Sequence, residues 1–591
     1  MPKVARRKKK KKILSDEDKA KAELRRKLIN LFELSSFQHL SPHDNKFVDF
    51  HGRNGDIDTL FLFDNVIVIC EETVTKAENL KSHILKTVDV WEVFANASKE
   101  DLFNLIKSKY PSFEEKRNPI YDPEHYKFIY LYVSSSTIKD EYKERKPWIS
   151  YMTYPEIQYF LFTAGIIKKS NRFELFKFLN VEKKELGLPS SGKDNDDEYA
   201  GLLLPKTTSG YCQARYILSF LMEPDKLIEQ AYVLRKQGWR KSSFAYQRLL
   251  SKKKILKLRT FLVKEKRVFV NNIIVTLPSD TRVFNAVTKQ EIIAPPPGME
   301  KVSIQLPNGI ESIGIIDGQH RIYAYHEADD SADGDISRLR KKQHLLVTGI
   351  VFPSDTTDED RAAFEAKQFY EINNNQTRLS SSLRQDIEAL VEPFSRTAIS
   401  KLIINNLNKL SPFEDLFEEN AFHPGKKIPT TSIITNGLNR VVNHKAPDTL
   451  FSVWPNDNKA RLFQNQDRSL MTQYVDFCSG EIRRIFQAFE KYAPYGYWDI
   501  TRKKNGILTS TTFIAILLLL LRLIREGKPR TREYYESGFS KLNYPSIFDG
   551  DCFAKYSSSN WLSLADDIYV ACFADNIIEA PSAAPPPLSS A

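Results

Sequence analysis

The run from Ile315 to His326, IIDGQHRIYAYH, sets an aspartate, a glycine, a glutamine, a histidine and an arginine at five consecutive positions, Asp317 to Arg321. An apolar, strand-like stretch precedes them and an aromatic, helix-like stretch follows. This predicts a turn between a buried strand and a helix, with Asp317 at the helix N-cap and Gly318 letting a ligand or another backbone come close. The unpaired N–H groups of a helix start favour an anion. Arg321, four residues after Asp317, shares its helix face and can fork onto a phosphate. Gln319 adds a further phosphate or nucleotide contact. His320, ordinarily titrating near neutrality, is the candidate for proton transfer, and Asp317 the candidate to hold a divalent cation or orient water. The plainer alternative is that Asp317 only caps the helix and His320 only packs beneath it.

Two more clusters accompany the turn. INNNQTRLSSS, residues 372 to 382, sets Asn374, Asn375, Gln376 and Arg378 between two helical runs. Amides and an arginine suit phosphate, ribose hydroxyl or base-edge recognition, and an amide-capped loop between helices is the alternative. Upstream, Tyr246, Gln247 and Arg248 precede a run carrying Lys252, Lys253, Lys254, Lys257 and Arg259. Aromatic and basic residues so interleaved suit a surface tracking a DNA backbone, against the alternative of a solvated helix face.

A fourth constellation lies near the N-terminus. DIDTLFLF and NVIVICEE are apolar runs joined by Asp64-Asn65, which predicts a hairpin. Asp56 and Asp58 alternate along the first strand, and Glu71 or Glu72 ends the second. Carboxylates on adjacent strands, Asp58 with Glu71 above all, are what Mg or Mn needs for phosphodiester hydrolysis.

The elements that must position these groups form a chain of 591 residues, too long for one core. Its organisation is read as a basic arm (1–15), an α/β domain (16–187), a linker (188–204) built on LPSSGKDNDDEY, a central α+β domain (205–400), a mostly helical C-terminal region (401–578) and a tail (579–591) too poor in apolar residues to pack. Helix is expected over 226–267, and strands at RYILSFLM, NNIIVTL, SIGII and HLLVTGIVF.

The net charge is +11, but Lys3 and the run Arg6–Lys12 carry eight of those charges, leaving +3 for the remainder. Basicity is therefore local, and such an arm attracts polyanions, nucleic acid first. Five cysteines, Cys70, Cys212, Cys478, Cys552 and Cys572, form no C-x-x-C pair, which points to a reducing compartment. No signal-peptide pattern is read at the N-terminus. The longest apolar run, Phe513 to Leu521, is nine residues against roughly 20 for a membrane span. A cytoplasmic protein without a membrane partner is expected.

YQR at 246–248, DGQHR at 317–321 and INNNQTRLSSS at 372–382 resemble, in order, the motifs of the DGQHR-domain family, the DndB- and DpdB-like proteins, over about residues 205 to 440. That family is similar to the ParB/sulfiredoxin-like fold, whose G-x-x-R-x-x-A turn holds a nucleoside triphosphate. Gly318, Arg321 and Ala324 match this turn, while Asn374, Asn375, Gln376 and Arg378 match a closing box with Thr377 inserted. The resemblance implies a protein of prokaryotic DNA modification or anti-phage defence that binds, or binds and hydrolyses, a nucleotide or DNA phosphate. Partner proteins of such a system and an oligomer are compatible with it, and a non-catalytic DNA-binding regulator or sensor is the alternative. The N-terminal constellation resembles the PD-(D/E)xK restriction-endonuclease fold, which implies a divalent cation. Thr73 stands where that motif has its lysine, with Lys76 and Lys81 the nearest replacements, so a degenerate domain is the alternative to a nuclease.

Overall fold

The computed structural model describes residues 15–42, 47–50, 52–188, 197–205, 210–211, 214–235, 238–240, 247–374, 380–418, 426–501, 505–556 and 560–574. The chain divides into two compact units, Met1–Arg378 with Asn420–Pro424, and Leu379–Glu419 with Gly425–Ala591. It is mixed α/β, with a helical C-terminal region.

The first unit opens with helix α1 (Asp16–Leu34), whose start is fixed by a capping box between Ser15 and Asp18. Its buried stripe, Leu24, Leu28, Leu31 and Phe32, follows the helical repeat. After β1 (Gln38–Leu40) comes a separate ribbon, β2 (Phe47–Phe50) with β3 (Arg53–Asp56). The expected hairpin forms from β4 (Thr59–Phe63) and β5 (Val66–Thr73), with Asp64 in the left-handed region at the turn. Helix α2 (Leu80–Asn96) follows, then β6 (Lys127–Ser134) and β7 (Ile149–Thr153).

These strands make one sheet in the order β1-β4-β5-β6-β7, and β5, β6 and β7 run parallel. Every residue of β5 is buried. Alternate side chains serve opposite faces: Ile67 and Ile69 meet Ile84, Val88 and Trp91 of α2, while Val66, Val68 and Cys70 meet the stripe of α1. Burial on both faces is why this strand reads as a continuous apolar run. Helices α3 (Tyr154–Ile167) and α4 (Arg172–Phe178) complete the layer.

The second sheet has eight strands: β8 (Asp197–Leu203), β9 (Tyr216–Met222), β10 (Ala231–Tyr232), β11 (Ile273–Leu277), β12 (Arg282–Asn285), β13 (Glu300–Leu306), β14 (Ile313–Asp317) and β15 (Leu345–Val351). Their order is β10-β14-β11-β15-β9-β8-β13-β12. Its helices include α5 (Lys252–Glu265), α6 (Gln319–Tyr323), α7 (Asp333–Lys342) and α8 (Asp358–Asn374).

Three sequence expectations are corrected here. The segment 188–204 is not all linker, because Asp197–Leu203 is β8, paired along its whole length with β13; the acidic residues at its start masked a strand whose inward positions are Tyr199 and Leu203. Among the described residues of 226–267, helix is confined to the segment ending at Gln230 (Pro224–Gln230) and to α5, and Ala231–Tyr232 between them pairs parallel with β14. Finally, 16–187 and 205–400 are not separate bodies. Ile166 and Ile167 of α3 lie in the core of the second sheet, Ile310 and Trp239 pack into that of the first, and the unit closes at Arg378 rather than near 400.

The second unit is helical, as expected. Its core includes α9 (Arg468–Lys491), α10 (Ser510–Arg525) and α11 (Trp561–Cys572), and the apolar run from Phe513 is buried within α10.

Candidate functional site

Strand β14 delivers the DGQHR turn to the end of the second sheet. Ile313 to Ile316 are buried, and the chain reverses at Gly318 with φ +106°. A Cβ there would stand 2.6 Å from Ile273 Cδ1, so both backbone conformation and space select glycine. Gly318, not Asp317, occupies the N-cap, and the helix it opens, α6, has only five residues. The N–H groups of Arg321 and Ile322 return to the Gly318 carbonyl at 2.8 and 3.1 Å. A helix this short has little dipole, so its start alone does not make an anion site.

Those side chains are tied to three other segments. Arg321 pairs with Asp317 and donates from Nη1 to the Asn272 carbonyl at 2.9 Å. Gln319, buried, donates to the Arg248 carbonyl at 3.3 Å and accepts from Arg235 Nε at 3.4 Å. His320 Nε2 accepts the Ser251 N–H at 3.0 Å. Burial, with the charges of Lys254, Arg235, Arg248 and Arg321, lowers the His320 pKa to about 4. The ring is neutral and its Nε2 engaged, an arrangement suited to support rather than to proton transfer.

Ser251 also caps α5, its hydroxyl accepting the Lys254 N–H at 3.4 Å. Lys252, Lys253 and Lys254 follow, all exposed. The turn and this lysine cluster are therefore neighbours. Gln247 and Arg259 have other roles. Gln247 is 1% exposed, and its amide donates to the Ile315 and Ile316 carbonyls, bracing β14 rather than facing a nucleic acid. Arg259, also buried, donates to the His326 carbonyl at 2.8 Å and pairs with Asp330 at 3.0 Å. Tyr246, Asn375, Gln376 and Arg378 lie outside the described residues; Asn374 ends α8, and its side chain is not among those described.

Arg235 gave no sequence signal beyond a charge inside AYVLR, yet it joins the turn to the first layer. Its side chain is 1% exposed, donating from Nη1 to the Tyr159 hydroxyl at 2.7 Å and to Glu174 Oε2 at 3.1 Å. Its guanidinium lies 5.5 Å from the Tyr323 ring centroid. Tyr159 belongs to α3 and Glu174 to α4, so a buried polar chain runs from the first layer through Arg235 to Gln319.

The first sheet's carboxylates are arranged differently from the sequence expectation. Asp56 ends β3 in the separate ribbon and is exposed, while Asp58 precedes β4 and is buried. Asp58 meets Glu72, not Glu71: the Glu72 N–H donates to Asp58 Oδ2 at 3.1 Å. Glu71 alternates to the opposite face, its Oε1 3.7 Å from His83 Nε2, and His83 Nδ1 is 2.8 Å from the Tyr132 hydroxyl. Burial, reinforced by the nearby Asp58 charge, pushes the Glu71 carboxyl well above the usual carboxylate range.

The cations beside Asp58 come from α1. Lys21 Nζ lies 2.8 Å from Asp58 Oδ2, and Arg25 bridges Asp58 Oδ1 and Glu72 Oε2, each at 2.7 Å. Lys76 and Lys81 are exposed, beyond the end of β5. The sequence signal for this arrangement is the spacing of Lys21 and Arg25, four residues apart beside the apolar stripe of α1. The donors already on these carboxylates do not fit a divalent cation. Among the described residues, no group of three or more His, Cys, Asp and Glu is placed to hold a metal ion, and no helix is long and apolar enough to cross a membrane.

No protein-family model, curated protein or solved structure matches this chain.

Proposed function

We propose that the chain is a DGQHR protein that binds DNA phosphate, or the phosphate of a nucleotide, at the Asp317–Arg321 turn, and serves as a regulator or sensor in prokaryotic DNA modification or anti-phage defence. In this reading the second sheet is a ParB/sulfiredoxin-like module, the first a degenerate nuclease-like module, and the protein works in the cytoplasm with partner proteins of the system. The observation that carries the proposal is the bond from the Ser251 N–H to His320 Nε2, which sets the exposed Lys252, Lys253 and Lys254 beside the turn. A positive field at a partly open turn attracts phosphate. Binding without turnover is favoured over hydrolysis because His320 Nε2 is spent on Ser251 and Asp317 on Arg321.

Lys252, Lys253 and Lys254 supply the test, since they are exposed and take no part in the buried core. Labelled duplex DNA, ATP and CTP are titrated against wild type and the triple alanine variant. The expected result is DNA binding weakened at least about tenfold by the variant, with no DNA-stimulated hydrolysis of either nucleotide by wild type. Equal DNA affinity in the two proteins removes this surface from the proposal, and rapid triphosphate turnover restores the enzymatic reading.

A further inference from the structure

We infer that Lys21 and Arg25 of α1 are the permanent counter-ions of the first sheet's acidic centre, occupying the place where a nuclease-like fold calls for a divalent cation. This inference does not depend on the proposed phosphate-binding role of the DGQHR turn.

Every carboxylate oxygen of the centre has a donor from the chain itself. Asp58 Oδ1 receives Arg25, and Asp58 Oδ2 receives Lys21 at 2.8 Å and the Glu72 N–H at 3.1 Å. Glu72 Oε2 receives Arg25 Nε at 2.7 Å, and Glu72 Oε1 receives the Thr59 hydroxyl. The two carboxylate side chains are 2% and 0% exposed, so water does not contribute appreciably to their neutralisation.

Charge and geometry both oppose a metal here. Two negative groups already face two positive ones, and a divalent ion would add two further charges to a buried centre. Magnesium also requires bare oxygen atoms in near-octahedral array at about 2.0–2.1 Å, whereas these oxygens face N–H and O–H hydrogens. Glu71, which could have made a third ligand, is turned to the other face of β5 beside His83.

The centre then acts as a clamp. Lys21 and Arg25 lie one turn apart on α1, and their ion pairs fasten that helix across the ends of β4 and β5, next to the apolar contacts of Leu24 and Leu28. A half-buried guanidinium shared by two buried carboxylates fixes the helix register more sharply than apolar contact alone.

The experiment uses the full-length chain. Bound Mn2+ is counted by electron paramagnetic resonance for wild type and Asp58→Asn, and thermal unfolding is followed with Mn2+, Mg2+ or EDTA. The expected outcome is that wild type and Asp58→Asn bind the same amount of Mn2+, and that EDTA leaves the wild-type melting temperature unchanged. Arg25→Met should melt lower than wild type, and the loss should be partly recovered in Arg25→Met/Asp58→Asn/Glu72→Gln, where no carboxylate is left uncompensated. A stoichiometric Mn2+ site in wild type that disappears in Asp58→Asn would overturn the inference. That comparison stands even if the Arg25 variants fail to fold.

Discussion

The backbone N–H of Ser251 donates to Nε2 of His320 at 3.0 Å, so the ring carries its proton on Nδ1 and holds the start of α5 against the DGQHR turn. One bond thus joins the candidate phosphate-binding turn to the lysine cluster that follows Ser251. It also makes the joint sensitive to acid, because a proton on Nε2 would face the donor instead of accepting from it.

Two histidines, His326 buried and His320 partly so, set that acid limit. Burial first, then neighbouring cations, lower His320 and His326 to about 4 from an ordinary 6.5. The unfolded chain takes up a proton at each ring as pH falls through about 6.5, while the folded chain does so only near 4. Their contribution to stability is therefore complete above pH 6.5 and is lost as pH falls across that window. Urea midpoints measured from pH 7.5 to 4.5 should decline below about 6.5, and less steeply in His326→Gln.

Arg321→Ala removes one of the cations that lower His320 and releases Asp317. The His320 pKa should rise toward its ordinary value, as read by NMR of the labelled ring. Phosphate binding should weaken by about tenfold, or ~1.4 kcal/mol. An unmoved His320 titration would show that Arg321 lies electrically apart from the turn.

Gly318→Ala tests the turn's backbone. At φ +106° a side chain is strained, and the Cβ meets Ile273 Cδ1 at 2.6 Å. Because the Ile273 methyl is a movable end, backbone strain should dominate, with a loss of about 1–3 kcal/mol in denaturant titration. Ile273→Val should recover only a small part of it.

Arg235→Met leaves Glu174 buried without its cation and should cost about 3–5 kcal/mol. Glu174→Gln, which keeps hydrogen-bonding capacity, should cost less. Because the two sheets share core residues, hydrogen exchange should show both losing protection together rather than the first sheet opening alone.

Replacing Lys252, Lys253 and Lys254 should also change the salt dependence of DNA binding. For every phosphate that is no longer neutralised, the steepness of log K against log salt should fall by about 0.9. Affinities measured between about 50 and 200 mM salt should therefore converge for wild type and triple variant at the upper end.

Local pattern made some of the fold legible. The β4–β5 hairpin was readable because Asp64-Asn65 separates two apolar runs, and β14 with its turn because DGQHR interrupts an apolar strand. Strands β8, β12 and β13 were not readable, since they mix polar and apolar residues and are stabilised by pairing with distant partners. At the first sheet, Glu71 and Glu72 looked equivalent in sequence. Strand alternation turned one toward α1 and the other toward His83, and the choice depended on which helix covers which face.

By itself, the sequence determined the mixed α/β class, the helical C-terminal third, the glycine at the sharp turn and the runs of basic residues. These follow from local quantities: apolar period, backbone freedom and charge along the chain. Tertiary structure alone decided that His320 accepts from Ser251, that Gln247 braces a strand, that Arg235 reaches Glu174, and that Lys21 and Arg25 neutralise Asp58 and Glu72. Each of those pairings joins groups 33 to 69 residues apart along the chain. A buried polar group takes whichever partner the packed elements bring within reach, and that partner is set by how sheets and helices meet, which no run of neighbouring residues encodes.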